Sequence, residues 1–235
     1  GLLLSVFCVF VLLIILFNIL LVFEGHYITD DENAYIMQAK IIEKGHIFAP
    51  EPPVEKSFGN WFIITDGVFT GKYTIGYPAL LALGNLISGT YYALPVLFTL
   101  LTVILVYFTG RKLFDRNTAL LASFFLAVSP FFLINASTLL SHATSLFFLT
   151  LFTFMFFTGL EKKGGIVGIY GFIAGLSIGM AFNIRQLTAM GFGLPFAIWL
   201  LWLLFRKKWK KLLFIVPCGI GFGILLVFTI WYNWK

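Results

Sequence analysis

Charge is what this chain has least of. Only 11% of its 235 residues are charged, while 60% are hydrophobic and 19% aromatic. A soluble domain carries about 25% charged residues. The mean hydropathy of +0.98 therefore excludes a water-soluble core and leaves a polytopic, all-α membrane protein. Cysteine is nearly missing too. Cys8 and Cys218 both lie in apolar runs, which excludes a disulfide framework and any cysteine-based metal spacing. Internal repeats and low-complexity stretches are lacking. The first apolar run has no basic start and no small-residue cleavage site, and it is too long for a signal peptide. The net charge of +6 raises the possibility of a nucleic-acid partner, but the placement of the charges argues against one.

What is present is a series of apolar segments. A window of about 20 residues picks out seven: Leu2–Phe23, Tyr92–Gly110, Thr118–Ile134, Thr138–Gly159, Gly165–Phe182, Met190–Phe205 and Leu212–Tyr232. Pro130 interrupts the third. Ten of the 16 basic residues fall in three short loops, after the second, fourth and sixth segments. Positive loops stay cytoplasmic, so the N-terminus is expected inside and Lys235 outside. The run Arg206–Lys211 then reads as an anchor on anionic membrane lipid, with no nucleic acid involved. The chain starts without Met and stops as a span ends, so it is expected to be a single module, 1–235, of a longer protein that lacks its C-terminal region.

The acids take the other side. Eight of ten, from Glu24 to Asp66, lie in the loop of about 24–91, much longer than an ordinary connection. Within it Asp31 to Lys44 reads as an amphipathic helix, with Gly45 as its stop. Thr29 and Glu32 fit a capping box. Acids in a first turn complement the helix dipole, yet a capping box needs one acid, and three adjacent carboxylates repel. Two readings stay open for Asp30, Asp31 and Glu32: a cap, or a general base or metal ligand at the membrane surface. Further on, Asp66-Gly67 suggests a hairpin turn, and Pro78 a short interfacial helix to about Ile87. Lys72 and Tyr73 between them read as an interfacial pair. Arg185, between the fifth and sixth spans on the outer side, either snorkels or clamps a lipid phosphate. His142, at the start of the fourth span, is a structural hydrogen-bonder or a polar site contact.

Taken together, these segments resemble a known family. Asp31-Glu32 followed by Tyr35 and an amphipathic helix, after a first span, resembles the first outer loop of the GT-C glycosyltransferases. The closest likeness is to the bacterial branch similar to dolichyl-phosphate-mannose protein mannosyltransferases and the lipid A aminoarabinose transferase. "DGVFTGKYTIGYPALLALG", "SPFFLINASTLLSHATSLFF" and "NIRQLTAMGFGLP" resemble later segments of that branch. Thr74-Ile75 stand where the branch has Pro-Pro, and Gln186 where a proline usually follows the arginine. The resemblance implies a seven-span module whose long outer loop holds juxtamembrane helices. It also implies an inverting transferase that moves a hexose or pentose from a polyprenyl-phosphate donor to a hydroxyl of a lipid, glycan or protein acceptor. The site would be extracytoplasmic, in a bacterial inner membrane. Asp31 would be the base, with Glu32 or Asp30 orienting it or holding a divalent metal. Arg185, with Lys72 and Tyr73, would hold the phosphate, and His142 and Tyr35 would make polar contacts nearby. The rival readings are a transporter or flippase, or a scaffold subunit, handling a lipid-linked sugar. Nearly uncharged spans and acids crowded in one loop favour the enzyme.

Overall fold

The computed structural model describes residues 1–51, 62–65 and 67–234, apart from the side chain of Lys210. Asp66, half of the expected hairpin turn, and Lys235 lie outside the described residues. Among the described residues ten α-helices carry the fold. Six are long and apolar enough to cross a membrane: Leu2–Val22, Ala93–Leu113, Ser141–Glu161, Ile166–Ile184, Gln186–Phe205 and Leu212–Trp234. The pair Arg116–Ala127 and Pro130–Ser137, bent by 57°, makes a seventh when it is counted as one broken span. The all-α polytopic class is therefore found with six to seven candidate spans, and the third expected segment is broken at Pro130. Pro130 opens the second half as its first residue, and Ser129 caps it by accepting the N–H of Phe132 at 3.4 Å.

The chain divides into two compact units, Gly1–Leu100 with Phe125–Thr144, and Leu101–Phe124 with Ser145–Lys235. In the first, α1 (Leu2–Phe17) ends in a π-turn over Asn18–Val22. Its buried residues Val11, Ile15 and Ile19 repeat every four positions, which puts them on one stripe. The other faces are exposed Leu, Val and Phe, as lipid contact requires. The amide of Asn18 donates to Ser137 Oγ at 3.1 Å, tying the π-turn to α6 (Pro130–Ser137). Between the first two spans lie α2 (Asp30–Glu43), strands β1 (Ile63–Ile64) and β2 (Thr70–Gly71), and α3 (Gly76–Ser88). The strands pair antiparallel, Ile63 with Gly71 and Ile64 with Thr70, so the expected hairpin is present. The short helix begins at Gly76, two residues before Pro78, and ends on the left-handed Gly89.

The second unit holds the rest of α4 (Ala93–Leu113), α5 (Arg116–Ala127) and α7 (Ser141–Glu161), with α8 (Ile166–Ile184), α9 (Gln186–Phe205) and α10 (Leu212–Trp234). Helices α8 and α10 are in backbone contact. A Cβ added at Gly171 would lie 2.3 Å from Phe214 O, and one at Gly175 2.0 Å from Cys218 O. Small residues at four-residue spacing let two membrane helices approach this closely. The pair is also hydrogen-bonded: buried Asn183 donates to Leu225 O at 3.1 Å and accepts from Thr229 Oγ1 at 2.8 Å. Phe152, Phe156 and Phe214 form the neighbouring core, with Phe196 against it.

Candidate functional site

The three adjacent acids of α2 have three different surroundings. Asp30 is exposed, and its carboxylate makes no hydrogen bond to a described residue. Glu32 is fully buried, and both its oxygens are engaged. Oε2 accepts the N–H groups of Ile28 (2.8 Å) and Thr29 (3.0 Å) and the Thr29 hydroxyl (3.2 Å). Oε1 accepts the N–H of Leu139 at 2.7 Å. Thr29 returns the capping bond by accepting the Glu32 N–H at 3.3 Å. The capping box is therefore present, and Glu32 also holds the start of α2 to the non-helical turn between α6 and α7.

Asp31 lies outside the cap. It is half-buried, and its Oδ1 accepts a hydrogen bond from the Tyr73 hydroxyl at 2.5 Å. Among the described residues Oδ2 has no partner. The capping reading thus accounts for Glu32 and leaves Asp31 over.

Tyr73 reaches Asp31 because of Gln38, a residue the sequence reading passed over. Gln38 sits seven positions after Asp31, two turns along the same face of α2. It is buried. Its amide N–H donates to Ile47 O at 2.7 Å, and its carbonyl accepts Thr70 Oγ1 and Gly71 N–H, both at 2.9 Å. This binds β2 along α2 and delivers the next residues to Asp31. A Cβ added at Gly71 would meet Ala34 O at 3.4 Å and Gln38 Cβ at 3.6 Å, ordinary van der Waals contact, so β2 runs directly along α2. A glutamine in the stripe of Tyr35 and Ile42 was the available signal: a long amide on an apolar face needs buried partners. The rings continue the wall. Tyr73 lies 4.8 Å from Tyr35, which meets Tyr77 edge-on at 4.9 Å. Tyr35 Oη is 3.2 Å from Ser141 Oγ. Burial, then the nearby Tyr35 and Glu32, pushes the Tyr77 phenol well above its ordinary range, so Tyr77 stays neutral at any physiological pH.

The other expected site residues are placed as follows. Lys72 is exposed beside Tyr73, and His142 is half-buried in the first turn of α7. Arg185 belongs to the second unit. It is the single non-helical residue joining α8 to α9, with φ −147° and ψ 88°. Its Nε donates to Thr188 Oγ1 at 3.4 Å. Among the described residues no group of three or more His, Cys, Asp or Glu is placed to hold a metal ion.

A helical membrane protein with a half-open carboxylate among juxtamembrane tyrosines is the class that fold and site define. The chain belongs to the dolichyl-phosphate-mannose-protein mannosyltransferase family, whose model matches residues 72–234, well over half of its length. It is therefore an integral membrane glycosyltransferase of the kind served by polyprenyl-phosphate sugars. Tyr73, His142 and Arg185 lie inside the matched stretch, while Asp30, Asp31, Glu32 and Tyr35 precede it. No curated protein and no solved structure matches the chain significantly.

Proposed function

We propose that the chain transfers a sugar from a polyprenyl phosphate to an acceptor hydroxyl on the extracytoplasmic face of a bacterial inner membrane, with inversion, and that Asp31 is the base. One observation carries this: of the three adjacent acids, Asp31 alone is both excluded from the helix cap and held by a second element, with one oxygen left over. Tyr73 fixes Oδ1, so Oδ2 is the atom that takes the acceptor proton. As the acceptor oxygen forms its bond to the anomeric carbon, the bond from that carbon to the phosphate oxygen breaks, and the phosphate leaves with the electron pair. A cation stabilises that charge; Lys72 stands next to Tyr73, and the family resemblance gives the same task to Arg185. Glu32 orients the base at one remove, by bracing the helix that carries it. Attack opposite the leaving phosphate inverts the anomeric carbon.

The test is a crossed pair of variants in the purified full-length protein with donor lipid. Asp31→Asn keeps size and much of the hydrogen bonding, and turnover should fall by about 10²–10⁴-fold with folding intact. Thr29→Ala removes the cap and should lower stability by about 1 kcal/mol with a modest change in turnover. Near-normal turnover in Asp31→Asn would return the acids to a purely structural role. NMR of the product anomer checks inversion.

A further inference from the structure

The face of α2 turned away from Asp31 borders a cavity of about 500 Å³. Lys40 lies nine residues beyond Asp31, half a turn round the helix, and Lys44 follows one turn later. Both line this cavity, together with His46, over a floor that includes Met37, Ile41 and Phe69. No carboxylate among the described residues lines it. Among the described residues neither lysine's ammonium group has an ion-pair or hydrogen-bond partner. Two like charges one turn apart weaken a helix. Cations do suit a helix C-terminus, but that preference needs neither His46 nor an apolar lining in the same cavity.

We infer that this cavity binds the phosphate group of an anionic amphiphile. Two ammonium groups within one turn match the charge of a phosphate, which Lys engages as a point charge. The Met37, Ile41 and Phe69 floor takes the apolar body next to it, the usual division of labour in a ligand pocket. The site is separate from the Asp31 face and does not depend on the transfer chemistry proposed above.

Binding to the full-length, detergent-solubilised protein tests this, with dihexanoyl phosphatidate, dihexanoyl phosphatidylcholine and inorganic phosphate as probes. Phosphatidate should bind at least about tenfold more tightly than either of the others, because it alone carries both the net charge and the apolar body. Lys40→Gln with Lys44→Gln should remove that advantage, and Met37→Ser should weaken phosphatidate while leaving inorganic phosphate unchanged. Undiminished phosphatidate binding in the double lysine variant overturns the inference, as does equal binding of phosphatidylcholine. Inorganic phosphate binding as tightly as phosphatidate overturns it too, since the apolar floor would then contribute nothing. Sugar transfer by the double lysine variant, measured alongside, reports on Asp31 chemistry separately.

Discussion

Tyr73 and Arg185 were both expected to meet the donor phosphate, and single substitutions separate their roles. Tyr73→Phe keeps the ring against Tyr35 and removes only the hydroxyl that donates to Asp31. If Tyr73 positions the base, turnover should fall about tenfold, the worth of one charge-assisted hydrogen bond, with donor KM unchanged. Combined with Asp31→Asn it should add nothing further. A raised donor KM at normal kcat would instead put Tyr73 on the phosphate. Arg185→Ala should weaken donor binding by about 1.5–3 kcal/mol, and Arg185→Lys should recover only part, lacking the bidentate fork. Unchanged donor binding in the alanine variant leaves Arg185 as a snorkelling side chain. Glu32→Gln acts on another quantity. The amide keeps one acceptor oxygen where four donors now converge. Either the cap or the Leu139 N–H loses its partner in a fully buried place, at a loss of about 1–3 kcal/mol. The melting temperature should drop, while turnover per folded molecule falls far less than in Asp31→Asn.

Two kinds of contact hold the elements, and they differ in how openly the sequence displays them. The α8–α10 pair depends on glycine. Gly175→Ala would drive a methyl into the Cys218 carbonyl, whereas Gly219, on α10, has open space around its missing Cβ. Gly175→Ala should therefore destabilise by about 1–3 kcal/mol or more and Gly219→Ala should be tolerated, as thermal unfolding of the two purified variants will show. The spans were legible because about 20 apolar residues leave few alternatives. The start and stop of α2 were legible because Thr29, Glu32 and Gly45 are local signals, and the left-handed Gly45 (φ 79°) ends the helix as expected. The bracing of Glu32 on Leu139, 107 positions away, and the Gln38 grip on β2 were not. Apart from the Thr70 hydroxyl, their partners are backbone groups, which every residue carries, so residue type does little to betray them. For the same reason the capping box and the family resemblance could set Glu32 apart from Asp31, but nothing in the sequence showed the Leu139 and Tyr73 partners that hold them.

At the scale of the whole molecule, the charge segregation has a physical consequence beyond topology. Lys112 pairs with Glu161 at 2.5 Å, joining the ends of α4 and α7 at loops the basic residues assign to the cytoplasm. The Lys211 ammonium donates to Leu160 O beside them. Part of the cationic load thus also closes helix ends, where unsatisfied carbonyls need donors. The proposed sidedness puts these ends inside and α2 outside, and a membrane-impermeant thiol reagent tests it on intact cells. The protein needs a background without its own thiols, Cys8→Ser with Cys218→Ala. Glu51→Cys suits the outer loop because Glu51 is exposed. Gly165→Cys suits the inner loop better than its neighbour, since Gly164 has φ 73° and would strain any side chain, whereas Gly165 has a right-handed backbone and open space around it. Glu51→Cys should label in intact cells and Gly165→Cys only after permeabilisation. The reverse pattern would turn the molecule over in the membrane. Asp31 would then face the cytoplasm, and the extracytoplasmic reaction proposed for it would fall, while the family membership and the internal geometry of the site would stand.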